Sequence, residues 1–279
     1  MTISGATRVA GVIGDPVRHS LSPVLHNAAY RELALDWVYV AFEVPDGATR
    51  GALEAMRVLD LAGLSVTMPH KTAAAAFCDE LSDDAAALRS VNTVSVGSGG
   101  RLIGDSTDGE GFLRSLRDAG HDPTGAPVVL LGAGGAARAV ALALGRTGAR
   151  VVVCARKPGA AAAAAELAAG EHRPWDERSA AAAAATFVVN ATPVGMNADD
   201  LPLPLDALHP GQVLADLVYH PMETVLLRGA RDQGAEIVDG LGMLVHQAAL
   251  QIEQWTGHPA PVAAMRAAAA AALRRAPSA

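Results

Sequence analysis

Several things are scarce in this sequence, and each shortage narrows what the chain can be. It has two cysteines, Cys78 and Cys154. They lie far apart and fit no metal-ligand spacing, which argues against a disulfide framework or a cysteine-built metal centre. The expectation is two buried thiols in a reducing compartment, and no metal. Aromatic residues make up only 4% of the chain, so its cores must be filled largely by aliphatic side chains and by alanine. Charged residues make up 18% and leave a formal net charge of -7. That balance lacks the basic surplus of a general nucleic-acid binder. No stretch of about 18 uninterrupted apolar residues occurs, so no membrane span is expected. The segment Met1 to Gly14 lacks the apolar core of a signal peptide, and a cytoplasmic protein is expected.

What is there is enough for two domains. The chain has 279 residues, 51% of them hydrophobic, and one domain takes roughly 150 residues. Short apolar runs alternate with helical patterns: Arg8–Gly14, a helix from Pro23 through Tyr30, Trp37–Phe42, a helix from Gly47 to Asp60 with Leu53, Met56, Val58 and Leu59 on or near its apolar face, then Leu64–Met68. This alternation predicts an α/β fold, a parallel or mixed sheet with helices on both faces. Ser90–Val96, the turn Gly97–Gly100 and Leu102–Asp105 predict a hairpin.

Three polar clusters stand out in this half. Ser65–Lys71 delivers one lysine at a strand-to-helix corner; from this stretch alone, the leading reading of Lys71 is an exposed first-turn residue. Ser20 and Ser22 alternate around Leu21 before Pro23. Two hydroxyls beside a helix N-terminus suit a carboxylate or phosphate; the plainer alternative is that Ser22 caps the helix. Asp108 precedes a helix expected from about Gly111 to Ala119, as a cap or as a catalytic acid.

A loop at His121–Pro127 leads into the apolar strand Val128–Leu131 and the run Gly132-Ala133-Gly134-Gly135-Ala136-Ala137-Arg138. Strand, glycine turn and helix in that order form the context of a dinucleotide site. Gly132 permits the turn, and Gly134 and Gly135 let a pyrophosphate approach the helix N-terminus. After the next strand, Val151–Cys154, an NAD site would carry a carboxylate for the ribose 2′-hydroxyl. Here the chain has Ala155-Arg156-Lys157. Two cations favour a 2′-phosphate, hence NADP(H), with Arg138 as a further contact; the alternative is a pair of solvated loop charges. Further strands are expected at Thr186–Asn190, Gln212–Tyr219 and Glu236–Asp239. A hinge-like break at Gly240–Gly242 precedes two C-terminal helices.

Taken in order, these motifs resemble the shikimate dehydrogenases over nearly the whole chain. The marks are Gly14-Asp15-Pro16 with His19–Pro23, Val66–Lys71, Val91-Asn92-Thr93, Thr107-Asp108-Gly109, Gly132–Ala136, Asn190-Ala191-Thr192, and Gly240–Leu244 with Gln247. The resemblance implies a substrate domain over residues 1–107 and 243–279, including the C-terminal helices, and a Rossmann-type NADP-binding domain over 108–242. It implies reversible reduction of 3-dehydroshikimate to shikimate by NADPH, in the route to aromatic amino acids. Lys71 and Asp108 would be the catalytic pair; Ser20, Ser22, Thr67, Asn92, Tyr219 and Gln247 would hold the substrate. Gly132, Gly134, Gly135, Ala136, Arg138, Ala155, Arg156, Lys157, Thr192 and Gly240 would hold the cofactor. The chain departs from the family pattern at Ser65 and Ser106, where Asn is common. A quinate or aminoshikimate paralogue and a non-catalytic metabolite sensor are the alternatives. A monomer or homodimer is expected.

Overall fold

In the computed structural model, which describes residues 2–196 and 198–275, the chain divides into two compact units. Of the described residues, one comprises 2–107 and 247–272, the other 108–196, 198–246 and 273–275. Among the described residues no helix is long and apolar enough to cross a membrane. Both cysteines are free thiols. Cys154 is buried as expected, but Cys78 is only half-buried.

The first unit is built on a six-stranded mixed sheet. Its strands are β1 (Arg8–Gly14), β2 (Trp37–Glu43), β3 (Gly63–Val66), β4 (Glu80–Leu81), β5 (Thr93–Val96) and β6 (Leu102–Asp105), in the order β2-β1-β3-β5-β6-β4. The register is parallel from β2 through β3 and antiparallel across β3, β5 and β6. The β5–β6 hairpin forms around the glycine-rich turn, as its residues predict. The short strand β4 has no periodic signature and escapes sequence reading.

The helices are α1 (Ser22–Glu32), α2 (Thr49–Val58), α3 (Lys71–Phe77) and α4 (Asp83–Leu88). Ser82 caps α4, its Oγ accepting from the Ala85 N–H at 3.2 Å. Helix α2 is shorter than expected. Thr49, Leu53 and Met56 form its buried stripe, and Leu53 and Met56 pack with Ile13, Leu64 and Val66. Val58 and Leu59 fall off that stripe and are exposed, contrary to expectation.

The second unit holds β7 (Pro127–Leu131), β8 (Arg150–Ala155), β9 (Glu171–Pro174), β10 (Phe187–Asn190), β11 (Val213–Asp216) and β12 (Glu236–Val238). They form one wholly parallel sheet in the order β12-β11-β10-β7-β8-β9. Helices α5 (Asp108–Asp118), α6 (Gly135–Arg146) and α7 (Pro158–Leu167) contribute to one core, and α8 (Arg178–Ala183) and α9 (Val225–Asp232) to the other. The alanine tracts serve this packing: Ala161, Ala164 and Ala165 of α7 are buried. Strand β11 is shorter than expected, so Tyr219 stands three residues past its end in an irregular segment. Two last helices follow, α10 (Gly240–Thr256) and α11 (Val262–Arg275).

The first unit buries a histidine. His26 has no exposed surface and stacks on Tyr39 with ring centres 4.0 Å apart; Trp255 lies 5.6 Å from it. Burial holds the imidazole down at about 4, partly offset by its bond to the Ser22 carbonyl. The unfolded chain therefore takes up a proton at this ring between pH 6.5 and 4 that the folded chain refuses, so stability falls as pH falls through that window. The urea midpoint should drop between pH 7 and 4.5. His26→Phe, which keeps the stack, should flatten that drop. An equal slope in the variant would remove His26 as its source.

Candidate active site

In the first unit, the segment from Ser65 to Lys71 is tied to its neighbours at nearly every step. The Thr67 N–H donates to the Ile13 carbonyl at 3.0 Å, and the Asp15 N–H to the Met68 carbonyl at 3.0 Å. The Val66 N–H donates to the Asn92 carbonyl at 2.7 Å, and the Val91 N–H to that of Lys71 at 3.0 Å. These bonds gather Thr67, Lys71 and Asn92. Beside Lys71, the buried His70 bridges the Val44 carbonyl and the Thr49 hydroxyl, each at 2.8 Å. Lys71 opens α3 and is half-buried, not a fully exposed first-turn residue.

The two serines exchange the roles read from sequence. Leu21 already has helical backbone angles, so Ser22 is the first residue of α1 and cannot cap it. Ser20 is the one engaged with the backbone: its Oγ accepts from the Ser22 N–H at 3.2 Å. The Ser22 hydroxyl is turned to Tyr39. Burial raises the Tyr39 phenol, and its hydrogen bonding with Ser65 and Ser22 opposes that rise.

Asn92 is 3% exposed. Its Oδ1 accepts from the Thr93 hydroxyl at 2.7 Å and the Thr107 N–H at 2.9 Å, while its Nδ2 donates to Thr107 Oγ1 at 3.0 Å. Gln251 reaches the same cluster from α10. Its Nε2 donates to Thr93 Oγ1 at 2.9 Å, and its Oε1 accepts from Ser65 at 2.7 Å. Tyr39, Thr93 and Gln251 are absent from the residues expected to hold the substrate. The signal that could have found them is polarity inside apolar patterns. Ser65 sits between buried Leu64 and Val66, and Gln251 lies one helical turn beyond Gln247. Gln247 itself is half-buried on α10.

In the second unit, the strand order reverses between β10 and β7, the switch point at which open α/β sheets bind ligands. Gly132 follows β7 with a φ of +108°, and an added Cβ would stand 2.8 Å from the Ala191 carbonyl oxygen. Only glycine fits there. Gly134 and Gly135 face open space, and no side chain caps α6. The N–H groups of its first turn, from Gly135 and Ala136 onward, lack partners within the helix, as at any helix start, and suit an anion. Arg138 lies half-buried in the same helix. Ala155 ends β8, and Arg156 and Lys157 beyond it are exposed. No carboxylate follows β8 directly, so this set fits a pyrophosphate plus a further phosphate.

Asn190 ends β10 with its Oδ1 accepting both the N–H and the hydroxyl of Thr192, at 3.1 and 2.7 Å. Its Nδ2 donates to Asp216 Oδ1 at 2.9 Å. Asp216 is 1% exposed and also accepts from the Val218 N–H and the Thr224 hydroxyl. Burial raises its carboxyl, and these three bonds oppose the rise. Thr192 and the segment carrying Tyr219 are thus anchored by one buried pair, which sequence reasoning missed. Burial likewise raises the Tyr219 phenol.

Two expectations about this unit are corrected. Asp108 does not precede a helix starting near Gly111; it is the first residue of α5 and half-buried. Gly240–Gly242 is not a hinge but the first turn of α10, stabilised by Asp239, whose Oδ1 accepts from the Gly242 N–H at 3.1 Å. Gly240 is required by contact: a Cβ there would stand 2.6 Å from the carbonyl oxygens of both Leu217 and Val218.

Comparison with known proteins bears on both units. Residues 12–94 match the shikimate dehydrogenase substrate binding domain, and residues 240–270 match the shikimate 5'-dehydrogenase C-terminal domain. The chain is 46% identical to a shikimate dehydrogenase (NADP(+)) of Methanopyrus kandleri, covering 98% of this chain and 99% of that one. It is 45% identical to another of Symbiobacterium thermophilum, covering 99% and 98%. It resembles the structure of the Thermus thermophilus shikimate 5-dehydrogenase in complex with NADP(H) and shikimate, with a TM-score of 0.88 and 39% identity over 95% of this chain and 99% of that one.

Gly240→Ala should destabilise the protein by roughly 1–3 kcal/mol, because backbone carbonyls must move to admit the methyl group. A thermal melt indistinguishable from the parent's would refute that contact.

Proposed function

The chain belongs to the shikimate dehydrogenase family, and on that premise we propose that it carries out the family's reaction with the residues gathered above. It catalyses the reversible NADPH-dependent reduction of 3-dehydroshikimate to shikimate. The carrying observation is that one chain holds both a fixed lysine corner at Lys71 and a dinucleotide turn at Gly132, with Arg156 and Lys157 just beyond the end of the next strand. Residues 1–107 and 243–279 form the substrate domain in this reading and 108–242 the cofactor domain. Residues 276–279 lie outside the described residues. The site of action is the cytoplasm.

The reduction needs a hydride at the carbonyl carbon, the chemistry NADPH would supply when bound. As the carbon gains that hydride, its oxygen gains negative charge and needs a proton. The Lys71 ammonium stabilises the charge and donates the proton from Nζ. Asp108 orients Lys71 and accepts from the substrate hydroxyl. In the reverse direction Lys71 takes the proton back, as neutral amine or through a proton shared with Asp108. Ser20 and Ser22 receive the substrate carboxylate, while Thr67, Asn92, Tyr219 and Gln247 hold the ring oxygens. Gly132, Gly134, Gly135 and Ala136, with Arg138, would hold the pyrophosphate of the cofactor. Ala155, Arg156 and Lys157 would hold its ribose 2′-phosphate end, and Thr192 and Gly240 would complete the cofactor site.

Lys71→Ala should lower kcat by roughly three powers of ten with a much smaller change in KM, the mark of a group acting in the transition state. An unaltered kcat would remove Lys71 from the mechanism. Arg156→Ala should weaken NADPH much more than NADH in a fluorescence titration; equal loss on both would refute the 2′-phosphate contact. Assayed side by side, shikimate with NADP should be oxidised faster than quinate with NAD. The opposite order would assign the chain to a quinate-using branch.

A further inference from the structure

Four hydrogen bonds that lead to the Asn92 oxygen run one way. Tyr39 Oη donates to Ser65 Oγ at 2.6 Å, and Ser65 Oγ donates to Gln251 Oε1 at 2.7 Å. Gln251 Nε2 donates to Thr93 Oγ1 at 2.9 Å, and Thr93 Oγ1 donates to Asn92 Oδ1 at 2.7 Å. Tyr39, Ser65, Thr93, Asn92 and Gln251 are all buried, so water does not compete along the chain.

The direction is anchored at the Thr107 N–H, which can only donate and so fixes the Asn92 oxygen, and it follows from there by proton counting, because each hydroxyl owns one proton. Ser65 accepts the Tyr39 proton, so its own goes to Gln251. That bond holds the Gln251 carboxamide with oxygen toward Ser65 and nitrogen toward Thr93. Thr93 accepts from that nitrogen, so its only proton goes to Asn92. The Asn92 oxygen thereby receives Thr93 as well as the Thr107 N–H, and is committed inward. Toward a ligand, the Asn92 carboxamide can present its Nδ2 end, which also donates to Thr107 Oγ1 at 3.0 Å. A Gln251 amide turned over would take the Thr93 proton for itself and break the last bond to Asn92.

We propose that Ser65 and Gln251 are positioning residues for substrate recognition: with Tyr39 and Thr93 they form a one-way chain that locks the Asn92 carboxamide as a donor to a substrate oxygen. This rests on the reading of Asn92 as a substrate contact. It also gives Ser65 a function of its own. An asparagine there would bring an amide that both donates and accepts, and the single sense of the chain would be lost.

The test uses Ser65→Ala, Thr93→Val and their combination, with Thr93→Ser as the conservative control. KM for 3-dehydroshikimate, KM for NADPH and the melting temperature are measured for each. Ser65→Ala and Thr93→Val should each raise KM for 3-dehydroshikimate about tenfold, the scale of one buried hydrogen bond. KM for NADPH should stay within about twofold, because that ligand does not use Asn92. The double variant should be no worse than the weaker-binding single variant, since both cut one chain. Thr93→Ser, which keeps the hydroxyl, should match the parent in KM even if its melting temperature falls. If Thr93→Val fails to fold, Ser65→Ala and Thr93→Ser still decide. An unchanged substrate KM in Ser65→Ala overturns the proposal, as does a rise in Thr93→Ser that follows the melting temperature. A parent that does not turn over 3-dehydroshikimate overturns the functional reading and the proposal with it. A parent that does, with KM indifferent to Ser65, sinks the chain alone.

Discussion

Taking a polar side chain out of water costs free energy unless every donor and acceptor finds a partner. Both units of this chain place asparagines under that constraint and build around them. In the first, Asn92 stands just before a strand and binds Thr93 and Thr107. In the second, Asn190 ends a strand and binds Thr192 and Asp216. A carboxamide has two different ends, so each neighbour must present the complementary group on the correct side. That requirement turns packing into orientation. Threonine hydroxyls, backbone N–H groups and a buried carboxylate are held at set positions because the amide leaves them no alternative of equal energy.

The alanine-rich helices make such an arrangement affordable in a chain with few aromatics. Alanine helices lose little side-chain entropy and approach the sheet closely. The larger buried side chains can then gather in the first unit, where Tyr30, Tyr39 and Trp255 pack on His26 and Trp37 packs on Tyr30. Tyr39 belongs to both that stack and the hydrogen-bonded row that leads to Asn92.

Much of this was legible in the residues, for reasons that differ from place to place. The turn after β7 could be read because Gly132 needs a backbone angle that other residues avoid, and because strand and helix periods flank it. The hairpin of β5 and β6 and the Ser82 cap could be read because their chemistry is local. What escaped is set by distant neighbours. Nothing near Ser22 in sequence says that Leu21 will already be helical and that Tyr39 will stand beside the Ser22 hydroxyl. The Gly240 run looks like a hinge until the carbonyls of Leu217 and Val218 show why a side chain is forbidden there. Val58 and Leu59 are apolar yet exposed, because the stripe of α2 is set by Leu53 and Met56. Of the candidate site, single residues were readable, but the partners that orient them were not. Ser65 and Gln251 are 186 positions apart and meet only in the folded chain.

The sheltered hydroxyls have one more consequence. Protons on serine, threonine and tyrosine oxygens ordinarily trade with water too fast to be followed one by one. Those of Tyr39, Ser65 and Thr93 are each held in a short bond away from solvent. They are therefore natural reporters for magnetic resonance, discrete signals inside the protein that need no label. Because every proton in the row points the same way, a disturbance at Asn92 is passed back along the line as a common shift. The molecule carries its own internal gauge of whether that carboxamide is engaged.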